Sequence, residues 1–247
     1  MKQLVGYITT GFPDKNFTAD LALALSENGV DSIELGVPFS DPVADGPIIE
    51  KANHKALELG FKFQDVLDVS AQVAKKADIL WMGYFNLFYQ YGIDKLLPKA
   101  KELGVSGMII PDLPHEEALL YKNLFETNNV ANISFVAPTD SDARIKEVVA
   151  NAQKFIYLVA YAGITGAGKS EDLQGIITSI KSHTQTPVYV GFGVNEKTAK
   201  DKVKGADGVI VGSAFIQELL NESLTHSQKI ANCSTIAREI KDKINSI

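Results

Sequence analysis

Cysteine occurs once in the 247 residues, at Cys233, so no disulfide can form within the chain and a reducing compartment is expected. Histidine is almost as scarce. His54, His115, His183 and His226 share no ligand spacing, and no metal site is expected. No stretch of the chain approaches the roughly 18 apolar residues of a membrane-spanning helix. The opening MKQLVGYITTGFPD has one lysine and a short apolar run but no signal-peptide core or cleavage site, which leads us to expect a cytosolic protein. An excess of positive charge is missing too: 24 Lys and Arg stand against 30 Asp and Glu, a net charge of −6. That balance disfavours nucleic acid and anionic membranes as partners. It leaves room for a small anionic substrate, which backbone N–H groups can bind locally. Linker-like Pro/Ser tracts, charge blocks and low-complexity segments are also absent, so one domain over residues 1–247 is expected.

What is present is an ordinary globular composition, 45% hydrophobic and 22% charged, in a chain long enough to bury a core unaided. A single pattern repeats along it. Eight short apolar runs end in Gly, Pro, Asp, Asn or Ser: VGYITTG from Val5, SIELG from Ser32, ILWMGYFN from Ile79, GMIIPD from Gly107, ISFVAPTD from Ile133, IYLVAYAG from Ile156, VYVGFG from Val188 and GVIVGS from Gly208. Rich in β-branched and aromatic residues without clean alternation, they read as parallel strands buried on both faces. Between them lie segments of helical periodicity, one capped by Asp14 and ending near Gly29, others over 62–77, 92–103, 115–128, 142–151, 170–183, 196–204 and 227–247. Eight strands alternating with helices, with no residue left for another unit, predict an α/β fold of the closed (β/α)₈ type, a TIM barrel.

Barrels of this type place their chemistry at the C-terminal ends of the strands. The second run supplies Glu34, a carboxylate in a stretch that should be core. Burial there is costly unless the group is paired, protonated or in use, and a raised pKa suits proton transfer near neutrality. The loop that follows carries Asp41 and Asp45 among prolines and glycines, able either to hold a carboxylate over the barrel mouth or simply to turn the chain. Pairing of Glu34 with a lysine is the structural alternative. Glycines mark three successive strand ends: Gly163, Gly166 and Gly168 after the sixth run, Gly191 and Gly193 at the seventh, and Gly212 before Ser213 at the eighth. Such rims bind phosphate through backbone N–H groups, and the Ser213 hydroxyl adds a donor. The segment from Gly163 to Ser170 satisfies the bare P-loop pattern, a chance match because it follows a late strand and lacks the rest of a nucleotide fold. The aromatic-rich stretch 81–91 reads as core or as the lining of an apolar pocket.

The run Glu34-Leu35-Gly36-Val37-Pro38-Phe39-Ser40-Asp41-Pro42, followed by Ala44-Asp45-Gly46-Pro47, closely resembles the signature of tryptophan synthase α subunits, and the similarity extends from Gly6 to Ala214. The resemblance implies a lyase that cleaves indole-3-glycerol phosphate to indole and glyceraldehyde 3-phosphate by a retro-aldol reaction, with no cofactor in this chain. It implies that Glu34 is the general acid/base for the indole ring carbon and that Asp45 accepts the indole N–H. It further implies that Tyr7, Met82, Tyr84, Tyr157 and Thr165 bind substrate and that Gly166, Gly193, Gly212 and Ser213 bind its phosphate. The partner implied is a pyridoxal-phosphate β subunit, in an α2β2 assembly. Which group removes the hydroxyl proton stays open; Glu34 can serve twice. Two departures stand out. The N-terminal helix that many members place beneath the barrel is expected to be absent or short, exposing the floor, and Tyr161 stands where several members carry arginine. A related synthase would be expected to use a lysine at a strand end, and none of the eight runs ends in one. A regulator that merely clamps a β subunit would depend on Asp41 and Pro42 more than on Glu34, and turnover without a partner separates the two.

Overall fold

Apolar runs with no polar face can be buried only between two layers, and here they line up as a parallel sheet with helices outside it. The computed structural model describes residues 1–160 and 173–246. Its strands are β1 (Gln3–Thr9), β2 (Ser32–Gly36), β3 (Asp78–Met82), β4 (Val105–Ile109), β5 (Ala131–Asn132), β6 (Ser134–Val136), β7 (Ile156–Val159), β8 (Val188–Gly191) and β9 (Gly208–Val211). Every pair is parallel, in the order β5-β4-β3-β2-β1-β9-β8-β7-β6. The two ends of that order, β5 and β6, are consecutive in the chain. Between them Ile133 donates its N–H to the Met108 carbonyl at 3.0 Å. The fifth expected strand is therefore one staggered strand in two pieces, the first paired with β4 and the second with β7. It closes the ring as a TIM barrel.

The helices are α1 (Lys15–Glu27), α2 (Pro47–Glu58), α3 (Phe63–Val73), α4 (Phe85–Tyr91), α5 (Ile93–Glu102), α6 (His115–Asn128), α7 (Asp142–Val149), α8 (Leu173–His183), α9 (Ala199–Lys202), α10 (Ser213–Leu220) and α11 (His226–Asn245). Asp14 caps α1 as expected, accepting from the Phe17 N–H at 2.9 Å. Thr225 and Gln228 form a capping box at the start of α11. The helix expected over 196–204 shrinks to four residues. The Asn195 side chain takes the N–H groups of Lys197 and Thr198 at 2.9 and 3.2 Å, which holds a turn where helix was predicted. Helices α2, α4 and α10 have no counterpart among the expected ones.

Alternate strand residues face inward. Val5, Leu80, Ile109, Ile133, Phe155, Tyr157, Tyr189 and Ile210 pack together inside the barrel, while Leu4, Ile8, Leu35 and Trp81 face the surrounding helices. Trp81 also ties β3 to α3, donating its ring N–H to Ser70 Oγ at 2.8 Å. The expected exposed floor is closed by the barrel's own side chains: Phe155 and Tyr189 stack at 4.5 Å and are 0% and 9% exposed. Beneath them Asp31 accepts the Leu4 N–H at 2.7 Å and pairs with the Lys241 ammonium, which also reaches the Lys2 carbonyl at 2.9 Å.

Candidate functional site

Parallel pairing sets Tyr7 of β1 opposite Glu34 of β2, both turned toward the barrel's interior mouth. Glu34 is 2% exposed, and among the described residues its Oε1 has no hydrogen-bond partner and its carboxylate no ion-pair partner. Among the described residues no lysine pairs with it, the alternative considered above. Burial raises its pKa from 4.5 to about 8, with the nearby Asp45 charge adding to the rise. At neutral pH this carboxyl is chiefly protonated, a proton donor held in an apolar setting.

Asp45 lies in the loop between β2 and α2. Its Oδ2 accepts from Asn53 Nδ2 at 3.0 Å, and the Tyr84 hydroxyl also hydrogen-bonds its carboxylate. Burial pushes its pKa from 3.8 up to about 6, while the Asn53 and Tyr84 contacts pull the other way. Asp45 is thus mostly ionised at pH 7. Two carboxyls in one pocket hold different protonation states because one is unpartnered and the other is solvated by side-chain donors. The loop is pinned further where the Ala44 N–H meets the Tyr84 oxygen at 3.0 Å and where His54 Nε2 meets the Ser40 carbonyl at 3.0 Å. Asp41 is exposed, taking the Ser40 hydroxyl at 2.6 Å, and serves the turn.

The opposite wall is backbone. Gly193 has φ +67, and no atom lies within 4 Å of where a Cβ would stand, so its peptide is open to the cavity. Gly212 caps α10, whose first residue is Ser213; the leading N–H groups of a helix have no partner within it and favour an anion. Gly191 has a different use from the one expected. A Cβ there would sit 2.3 Å from Tyr157 Cε1, and one at Gly36 would sit 2.3 Å from the Tyr7 oxygen. These two glycines make room for tyrosine rings.

Between the walls lies a cavity of about 700 Å³ lined by Tyr7, Glu34, Asp45, Met82, Tyr157, Gly193, Gly212 and Ser213, among others. Eight of the expected site residues therefore share one chamber. Tyr84 does not line it; buried against Phe39 at a ring distance of 5.3 Å, it acts on Asp45 from behind. Thr165 and Gly166, like Tyr161, lie outside the described residues. The sequence reading missed Phe135, Phe192, Ile49 and Ile109 in the lining, and Asn53 behind it. Phe135 stacks on Tyr157 at 4.9 Å, and Phe192 meets the same ring edge-on at 6.0 Å. Counting inward positions along the fifth run from Ile133 would have found Phe135. Among the described residues no cluster of three His, Cys, Asp or Glu side chains could hold a metal.

Comparison with known proteins agrees with this geometry. The family model for the tryptophan synthase alpha chain matches residues 1–245. A tryptophan synthase alpha chain of Wolinella succinogenes is 54% identical over 247 residues, covering 100% of this chain and 97% of the relative. The crystal structure of tryptophan synthase subunit alpha from Legionella pneumophila superposes with a TM-score of 0.89 at 32% identity, covering 100% of this chain and 94% of that one. The solved structure of tryptophan synthase subunit alpha from Campylobacter jejuni gives 0.86 at 35% identity, with 95% of each chain covered. With the match running along nearly its whole length, the chain belongs to the tryptophan synthase alpha chain family, the lyases that cleave indole-3-glycerol phosphate in tryptophan biosynthesis.

Proposed function

We propose that residues 1–247 form one barrel domain in which Glu34 and Asp45 divide the retro-aldol cleavage of indole-3-glycerol phosphate. The observation that carries this reading is the pairing, in a single cavity, of an unpartnered buried carboxyl with an ionised one, opposite a glycine rim. The phosphate sits on the backbone at Gly193, Gly212 and Ser213, and the family resemblance adds Gly166 to them. The indole lies among Tyr7, Met82 and Tyr157, and the family resemblance adds Thr165 as a substrate-binding residue. Glu34 gives its proton to the ring carbon that bears the side chain. Positive charge then develops on the ring nitrogen, and Asp45 stabilises it by accepting the N–H. The Glu34 carboxylate so formed takes the proton of the neighbouring hydroxyl. The O–H electrons become the aldehyde C=O, the carbon–carbon bond breaks, and its electrons restore the aromatic ring. Glu34 ends protonated, as it began, so the cycle closes with no cofactor of this chain's own.

Outside the chemistry, a cytoplasmic enzyme acting with a pyridoxal-phosphate β subunit in an α2β2 assembly fits the family and the net charge of −6. The test is direct. Purified chain incubated with indole-3-glycerol phosphate is expected to release indole and glyceraldehyde 3-phosphate in equal amounts, slowly alone and faster with the β subunit added. Absence of indole in both arms would overturn the assignment.

A further inference from the structure

We propose that Asn53 is a positioning residue for Asp45, acting through a one-way hydrogen-bond relay that starts on β1 and ends on the loop carboxylate; the inference deepens the function proposed above and rests on it. Asn53 is 1% exposed, and it does not line the cavity. A buried amide must be hydrogen-bonded to repay its desolvation. Here both ends of the amide are used toward the site.

Thr9 Oγ1 approaches the Tyr7 oxygen at 3.4 Å, the Tyr7 hydroxyl approaches Asn53 Oδ1 at 3.5 Å, and Asn53 Nδ2 approaches Asp45 Oδ2 at 3.0 Å. Each oxygen that accepts in this series belongs to a group that donates to the next, and the amide can donate only from its nitrogen. The series therefore runs in one direction and must end on an acceptor. An ionised carboxylate is the end that satisfies it. Thr9 and Asn53 are buried away from the cavity, and Tyr7 is 4% exposed, so bulk water competes little for these bonds.

The relay also solves a mechanical problem. Asp45 belongs to a loop whose Val43 is 83% exposed, a poor platform for aiming a carboxylate. Asn53 sits within α2, which begins at Pro47, just after that loop, and packs Ala52 and Ala56 into the core. The helix lends its rigidity to the loop through one side chain. With Asn53 on Oδ2 and the Tyr84 hydroxyl also on the carboxylate, its rotation is fixed, and acceptor positions remain for the substrate ring N–H.

The experiment compares wild type with Asn53→Ala, Asn53→Ser and Asp45→Asn, and with the double variant. A hydrogen bond to a charged group supports an expected loss in kcat of about tenfold or more for Asn53→Ala, with KM within about twofold. The acidic limb of the kcat profile is expected to move to higher pH, since a carboxylate without its donor is easier to protonate. Asn53→Ser keeps a donor on a shorter stem and is expected to recover part of both effects. In the Asp45→Asn background, Asn53→Ala is expected to change kcat no further. Unchanged kcat and limb in Asn53→Ala with only a lower melting temperature would overturn the positioning role. So would losses from the two sites that multiply. Should Asn53→Ala fail to fold, the ¹³C carboxyl titration of Asp45 in Asn53→Ser decides: an upward shift supports the relay, and an unmoved midpoint refutes it. Full activity in Asp45→Asn would instead sink the role of Asp45 itself, a result distinct from failure of the relay alone.

Discussion

On the β1–β3 side of the cavity the candidate groups are buried side chains, one carboxyl unpartnered and the other held by donors; on the β8–β9 side they are chiefly backbone, at Gly193 with nothing within 4 Å of a would-be Cβ. Glu34, Asp45, Asn53, Tyr7 and Tyr84 touch or influence each other, so that each sets a neighbour's charge or rotation. In the proposed reaction Gly193 and Gly212 would serve through backbone, having no side chain. The contrast fits the two tasks proposed. Moving a proton requires a pKa tuned by burial and neighbours, whereas holding a dianion requires close donors of fixed direction. The first wall should fail in turnover when altered, the second in binding.

The largest expected effect tests the first wall. Glu34→Gln keeps the shape and burial but cannot supply the proton, and general acid catalysis supports a fall in kcat of at least about a hundredfold. KM should stay close to wild type. Retained turnover in a steady-state indole assay would remove Glu34 from the mechanism. The same variant reports on stability. A folded pKa raised from 4.5 to about 8 means that Glu34's contribution is intact below pH 4.5 and is lost as pH rises to 8. Melting curves should therefore show Glu34→Gln gaining on wild type between those limits and holding the gain above them.

The pH profile comes next. With Asp45 ionised and Glu34 protonated as the active pair, kcat/KM should rise through pH about 6 and fall through pH about 8. Beyond each limb the loss approaches about tenfold per pH unit. A flat profile across both values would dissolve the contrast between the carboxyls.

A smaller effect probes the second wall. Gly193→Ala forces a side chain into a left-handed backbone and toward the open cavity. KM is expected to rise about tenfold with kcat nearly unchanged, the pattern of lost uniform binding. Inorganic phosphate should weaken as a competitor in parallel. A fall in kcat instead would show that the anion wall also aims the reacting bond.

Smallest of all is Lys241→Met, on the floor far from either wall. Removing one partner of the half-buried pair with Asp31 should cost about 1 kcal/mol in denaturant unfolding and leave kinetics alone. A kinetic change would show that the floor communicates with the mouth.

The barrel and the acid side were largely legible because they rest on patterns of residue type. Runs such as SIELG and GVIVG announce doubly covered strands, and a glutamate inside one of them can scarcely be idle. Asp45 stood out less by itself than through the unusual Pro/Gly loop and the resemblance around it. What stayed hidden depends on contacts between distant segments. Asn53 lies in α2, a helix whose buried face is only Ala52, Asn53 and Ala56, too small to leave an apolar stripe. Aromatic crowding let the stretch holding α4 read as core or pocket lining, though of FNLFYQY only Phe88 is fully buried. Gly191 was assigned to the anion because glycine at a strand end has two uses, and nothing local tells a close-packed ring from a phosphate.

The interruption at Ile133 has a consequence for how the molecule comes apart. Ladder pairing is short there, two residues on one side and three on the other, as it is between β8 and β9, where two residues pair. The outer-layer packing divides between β8 and β9 and again near Ile133, one cluster running over β1 to β4 and β9 with α10 and α11, the other over β6 to β8 with α7 and α8. Opening should begin along this seam, with amides at 131–136 exchanging with solvent ahead of those in β1 and β2. Like a hoop cut at its clasp, the wall would part at the segment opposite β1, leaving the acid pair of the first half joined longest.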